Sequence, residues 1–118
     1  MVNSLIFHEM INKDFLKDRF TANDVACGKL MKVLDLFASK TRFRILCVLR
    51  EKDFCVSDIA EIIEAGKVSN ISQQLKILTM ANIISRYRVE KKVFYKLEDE
   101  RVRHIVDFLH EQYMDNEL

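Results

Sequence analysis

The chain has 118 residues, 49% of them hydrophobic, and its 19 basic and 18 acidic residues leave a formal net charge of +1. This length and apolar content suit one globular domain with a substantial core. Two glycines exclude a Walker loop and a dinucleotide-binding loop, and the absence of proline fits a mostly helical chain.

Nothing in the sequence predicts a membrane segment, because no uncharged run reaches 18 residues. The first seven residues lack the charged start and long apolar core of a signal peptide, so we expect a cytoplasmic protein. Its cysteines, Cys27, Cys47 and Cys55, are odd in number and far apart, which argues against a structural disulfide framework.

The first half of the chain predicts three helices. Residues 1–20 are unusually apolar and form an N-terminal extension. A helix in this extension would need another protein surface to cover its apolar face. Residues 21–118 form the main domain, in which a second amphipathic helix runs from 24 to about 38. A break at 39–41 precedes a helix over 42–51 that buries Ile45, Leu46, Val48 and Leu49.

Two short helices follow, joined by a glycine-containing turn. Residues 52–54 connect to the first helix, which opens near Ser57 and ends at Ile63, and 64–66 form the turn. The second helix spans 67–81, with Ser69 as its cap and Asn82 as a left-handed stop. Its buried stripe is predicted to be Val68, Ile71, Leu75, Ile77 and Leu78.

The outer face of the helix at 67–81 is rich in amides. Asparagine and glutamine side chains donate and accept at once, which suits the edge of adenine in a DNA major groove. We therefore predict base contacts from five residues, namely Ser69, Asn70, Ser72, Gln73 and Gln74.

Over 83–97 the apolar residues recur at every second position, which predicts a β-hairpin. Its turn lacks Gly and Asn-Gly, so we expect a loop longer than two residues. Residues 67–96 hold seven basic residues and one acid, a net charge of +6, while the rest of the chain sums to −5. This clustering favours phosphate binding. The predicted cationic contacts are Lys67, Lys76, Arg86, Arg88, Lys91 and Lys92.

The pattern as a whole predicts a mainly α fold with a small β-hairpin, a winged helix-turn-helix. The last helix carries an apolar stripe, Val102, Ile105, Val106, Leu109 and Tyr113, beside an acidic flank that DNA would repel. We expect a homodimer formed by the helix at 24–38, the last helix at 100–114 and, as a further option, residues 1–20. Its twofold axis would match a palindromic operator in double-stranded DNA.

Four segments resemble the ArsR/SmtB family of winged-helix repressors. They are residues 36–46 (LFASKTRFRIL), 54–60 (FCVSDIA), 68–78 (VSNISQQLKIL) and 93–97 (VFYKL). The resemblance implies a homodimeric repressor that leaves DNA when an inducer binds.

The family's inducer sites are incomplete in this chain. Where metal-sensing members have a cysteine-valine-cysteine box, this chain has Cys55 but Ser57. At the positions of the family's zinc ligands stand Asp99, Arg101, Gln112 and Asp115, and an arginine there disfavours a metal. His104 and His110 lie on different helix faces, and we interpret them as solvated surface. A metal site formed by His104, Asp107, His110 and Glu111 is kept as the less favoured alternative, and no cofactor is predicted.

The segment around Cys47 resembles the redox- and persulfide-sensing branch, although Met114 stands where that branch has its second cysteine. We keep Cys27, Cys47 and Cys55 as candidates for an effector that reacts with thiols, such as an oxidant, a persulfide, or arsenite or another soft metal. The alternatives are a family member without metal or redox sensing, and a winged-helix protein-interaction module that does not bind DNA. No catalytic signature appears, so we predict no enzyme.

Overall fold

The computed structural model describes residues 8–63 and 67–115. Its helices are α1 (Lys13–Ala22), α2 (Asp24–Ala38), α3 (Lys40–Glu51), α4 (Val56–Ile63), α5 (Val68–Met80) and α6 (Glu100–Tyr113). Its strands are β1 (Phe54–Cys55), β2 (Ile84–Val89) and β3 (Lys92–Leu97). The predicted class, mainly helical with a β-hairpin, is confirmed. No helix in the described parts of the chain is long and apolar enough to cross a bilayer.

Two compact units divide the chain, one ending at Asp35 and the other beginning at Leu36. In the first unit, α1 has no buried residue, and Phe20 is 70% exposed. The predicted packing of an apolar N-terminal helix is therefore not seen in the described part of α1, and residues 1–7 lie outside the described residues. The division into an extension over 1–20 and a domain over 21–118 stays a prediction.

The second unit holds the hydrophobic core. Helices α3, α4, α5 and α6 and the sheet bury their apolar faces together, because each supplies residues at helical or alternating spacing. The most deeply buried side chains are Ile45, Leu46, Leu49, Ile59, Ile71, Leu75, Leu78, Ile84, Leu97 and Val106. Two predicted members of the α5 stripe, Val68 and Ile77, are 47% and 41% exposed, so that part of the prediction is wrong.

The sheet is antiparallel and three-stranded, in the order β1-β3-β2. Strand β1 lies in the stretch that we predicted as a connection leading to the next helix, and it pairs Phe54 with Tyr95. The hairpin turn has two residues, since Val89 pairs with Lys92. The longer loop predicted from the lack of glycine is wrong, because Glu90 itself adopts a positive φ of 56°.

The ends of α3 and α5 differ in how they are capped. Ser39 accepts a hydrogen bond from the backbone N–H of Arg42, which starts α3 two residues before its predicted start. The residue before α5 is Lys67, which makes no side-chain cap, so the predicted Ser69 cap is wrong. Asn82 has a φ of 60°, as predicted for a left-handed stop.

Candidate nucleic-acid interface

Helix α5 presents most of its predicted DNA contacts to solvent. Ser69, Ser72, Gln73 and Lys76 are exposed, while the buried Ile71, Leu75 and Leu78 fix the opposite face on the core. Lys67, just before the helix, is exposed as well. Because the buried residues set the rotation of the helix, the polar face is held outward.

The hairpin carries cations on both faces and at its tip. Opposed residues point to the same side of a sheet, so Arg86 and Arg88 share a face with their partners Tyr95 and Val93. Lys92 lies on the other face, opposite Val89, and Lys91 is in the turn. Within the described residues, none of the six predicted cationic contacts makes a side-chain ion pair or hydrogen bond.

One groove joins the helix to the hairpin. It has a volume of about 530 Å³ and is lined by Ser72, Lys76, Thr79, Met80, Arg86 and Tyr95. The groove therefore brings two predicted α5 contacts next to one predicted hairpin contact. Helix and hairpin form one polar, cationic surface.

Two of the amides are held by neighbours. Gln74 accepts a hydrogen bond from Arg42 Nη1 at 3.0 Å, and its Nε2 donates to Asn70 Oδ1 at 3.5 Å. Arg42 Nε also donates to the carbonyl oxygen of Leu36 at 3.3 Å. Sequence reasoning did not identify Arg42 as a contact of α5, although it lies within the segment that carries the family resemblance.

Tyr87 on β2 contacts Asp53, the residue just before β1. Its hydroxyl donates to Asp53 Oδ2 at 2.6 Å, and this bond to a carboxylate raises the pKa of the phenol. The ring also stacks on Phe94, with centroids 5.7 Å apart. The first contact connects the hairpin to the segment before β1, and the second connects the two strands of the hairpin.

The three cysteines lie in different environments and are all free thiols. Cys27 is exposed on α2. Cys55 is buried, donates to Asp58 Oδ2 at 3.2 Å and lies 3.3 Å from Ser57 Oγ. Burial raises the pKa of the Cys47 thiol to about 11, although the charge of Arg50 acts in the opposite direction.

Two of the residues at the family's zinc positions, Asp99 and Arg101, contact each other at the start of α6. Asp99 caps α6 by accepting from the backbone N–H groups of Arg101 and Val102. Burial disfavours its ionised form, but the hydrogen bonds from Arg101 and Val102 prevail and lower the pKa of Asp99. His104 is exposed, whereas the side chain of His110 is 15% exposed, so the interpretation of His110 as solvated surface is wrong.

A family model matches α3, β1, α4, α5 and the start of β2. The model described as "Bacterial regulatory protein, arsR family" matches residues 39–86, from the cap of α3 into β2. Within this match lie α5 and the first arginine of the hairpin.

Known proteins extend the likeness over most of the chain. The cadmium resistance transcriptional regulatory protein CadC homolog of Staphylococcus aureus is 37% identical over 100 residues, which cover 81% of this chain and 78% of that protein. Reduced HlyU from Vibrio cholerae superposes with a TM-score of 0.73 at 25% identity, covering 78% of this chain and 96% of that one.

A third likeness concerns the fold alone. The homodimeric winged helix-turn-helix DNA-binding domain of a possible ArsR-family regulator from Mycobacterium bovis superposes with a TM-score of 0.66 at 19% identity, covering 75% of this chain and 82% of that one. The architecture of α4, α5 and the hairpin is thus a winged helix-turn-helix. The chain belongs to the ArsR family of bacterial regulatory proteins.

Proposed function

We propose that this chain is a homodimeric transcriptional repressor that binds a palindromic operator in double-stranded DNA and leaves it when an inducer binds. The observation that carries the proposal is the groove in which Ser72 and Lys76 of α5 meet Arg86 of the hairpin. In this arrangement α5 enters the major groove, Gln73 contacts a base edge, and the hairpin cations contact phosphates or the minor groove.

Exposed apolar side chains support the dimer. Leu30 and Leu34 on α2 are 55% and 50% exposed, and Phe108 and Tyr113 on α6 are 58% and 69% exposed. Apolar surface of this extent on two helices is typical of a protein interface. A twofold dimer through these helices covers both and presents two copies of α5 to a palindrome.

Thiol chemistry supports an inducer that reacts with or binds cysteine. Cys27 is accessible, and Cys55 lies beside the oxygen atoms of Ser57 and Asp58. One relative, the Staphylococcus aureus protein, carries a name that refers to a soft element, cadmium. Soft elements favour thiolate ligands.

The test of DNA binding is selection from fragmented genomic DNA by the purified chain, followed by sequencing of the retained fragments. We expect a small set of fragments to be enriched, with a shared palindromic sequence. Replacing Arg86 and Arg88 by Gln should reduce retention, whereas replacing Lys13 and Lys17 on α1 by Gln removes equal charge as a control. Retention of no fragment in dilute buffer contradicts the proposal and favours a protein-interaction module.

The inducer is tested on the enriched fragment. Each cysteine is replaced by Ser in turn, and release from DNA is measured after addition of an oxidant, a persulfide or arsenite. At least one replacement should abolish release by one of these agents. Unchanged release in all three variants contradicts sensing through thiols.

A further inference from the structure

The side chains of Arg42, Gln74 and Asn70 form a chain of hydrogen bonds with a fixed direction. A guanidinium group has donors and no acceptor, so the Gln74 atom that faces Arg42 must be the carbonyl oxygen. The Gln74 amide nitrogen is thereby turned toward Asn70, 3.5 Å away. Asn70 meets that donor with its own oxygen, and its amide hydrogens point elsewhere.

Helix geometry and burial support this chain. Asn70 and Gln74 are four residues apart, so they lie one above the other on α5. Both are half-buried, as is Arg42, while Ser69, Ser72 and Gln73 on the same helix are exposed. Arg42 is itself positioned by its bond to the carbonyl oxygen of Leu36.

We propose that Arg42 acts through Gln74 to make Asn70 a hydrogen-bond donor toward DNA, so that Asn70 contacts an acceptor while Gln73 alone of these three amides keeps both its oxygen and its nitrogen for the paired contact with adenine. This inference rests on the proposed DNA binding and deepens it. Asn70 is in the first turn of α5, the part of a recognition helix that contacts base edges. The acceptor is the N7 atom of a purine or a phosphate oxygen. Arg42 and Gln74 are positioning residues.

The experiment measures the affinity of wild type and variants for the enriched operator with single chemical changes. 7-Deazaguanine or 7-deazaadenine removes the N7 acceptor of one purine, and a methylphosphonate linkage removes the charge of one phosphate. For the wild type, one such change should weaken binding by roughly fivefold to a hundredfold. Asn70→Ala should lose sensitivity at that position, which identifies the contact and distinguishes a base from a phosphate.

The positioning role is tested by Gln74→Met and Arg42→Met. Both should lose sensitivity at the position assigned to Asn70 and keep it at the position assigned to Gln73. Arg44→Met is the matched control, because it removes the same charge from the same helix at an exposed residue. Circular dichroism and thermal melting check the fold, and Gln74→Met leaves Arg42 and its bond to Leu36 in place.

The proposal is overturned if folded Gln74→Met remains sensitive to the chemical change at the position assigned to Asn70. It is also overturned if Gln74→Met abolishes a preference for a base at another position, since Gln74 would then contact DNA directly. If the wild-type chain retains no duplex at all, the proposed function fails first; if it binds specifically and the variants match it, the hydrogen-bond chain alone is wrong.

Discussion

At the scale of single residues, the surroundings of each cysteine decide how it reacts. The thiolate is the reactive form, and Cys47 is half-buried with a pKa raised to about 11. Cys55 is buried and donates to Asp58. Cys27 is exposed on α2, so the three thiols differ in access.

We expect iodoacetamide at pH 7 to modify Cys27 first and Cys47 slowly. The rate at Cys47 should rise about tenfold per pH unit toward pH 11, since the thiolate fraction grows in that way below the pKa. Mass spectrometry of peptides from samples quenched between pH 7 and 10 measures both rates. In urea Cys47 should react as an ordinary thiol, and modification of folded Cys47 at pH 7 as fast as Cys27 would contradict this reasoning.

The same pKa affects stability in alkaline solution. Between the ordinary value of 9.0 and about 11, the unfolded chain loses the Cys47 proton while the folded chain keeps it. The free energy of unfolding therefore falls as the pH rises through this range. Cys47→Ser should remove that part of the fall.

Residue roles on α5 could be predicted from the sequence only in part. Gln73 and Gln74 are adjacent and chemically identical, yet Gln73 is exposed and Gln74 accepts from Arg42. That contact joins residues 32 positions apart, and no local pattern reports it. The sequence could therefore indicate the amide-bearing face but not which amide is held.

At the scale of elements, the end of α5 determines how the chain turns into the hairpin. The N–H of Ile83 donates to the carbonyl oxygen of Leu78, and the N–H of Asn82 to that of Thr79. This pair of bonds is the Schellman motif, which needs a left-handed residue at Asn82. Ile83 and Ile84 then enter the core and fix the register of β2.

Substitutions at Asn82 should separate backbone strain from side-chain contacts. Asn82→Ala should lower the free energy of unfolding by about 1 kcal/mol, because a Cβ disfavours the left-handed region and asparagine tolerates it better. Asn82→Gly should be neutral or stabilising, since glycine adopts this conformation at no steric cost. Urea unfolding measures both. Equal destabilisation by Ala and Gly would show that the side chain matters instead.

Sequence reasoning placed well those elements in which the spacing of apolar residues repeats several times. The helices and the hairpin have several apolar residues each, whereas β1 has two residues and no readable period. Its pairing with β3 depends on partners 41 and 39 positions away in sequence, Tyr95 for Phe54 and Phe94 for Cys55. The two-residue turn was missed because Glu90 is an unfavourable residue at positive φ, yet six paired positions in the ladder hold it there.

At the scale of the whole molecule, positive and negative charges are separated along the chain. Residues 67–96 carry a net charge of +6, and residues 97–118 carry seven acids and two arginines. Arg50 pairs with Asp107 and links α3 to the acidic helix α6. A polyanion is attracted to α5 and the hairpin and repelled by α6.

The dimer proposal predicts that Leu30→Glu on α2 shifts the chain toward a monomer and weakens operator binding at least tenfold. A charge at an interface of apolar side chains loses its hydration without a partner. Sedimentation velocity at several concentrations measures the association state. Lys32→Glu on the same helix is the control, and a Leu30→Glu chain that remains dimeric would place the interface elsewhere.

The most direct test of DNA binding is the affinity for the operator duplex over a series of salt concentrations. We predict that the logarithm of the association constant falls linearly with the logarithm of salt, by about 0.9 for each phosphate neutralised. Lys91→Ala should weaken all duplexes alike and lower that slope by roughly one. An affinity that does not change with salt, or no binding at the lowest salt, would contradict the assignment of α5 and the hairpin as a nucleic-acid interface.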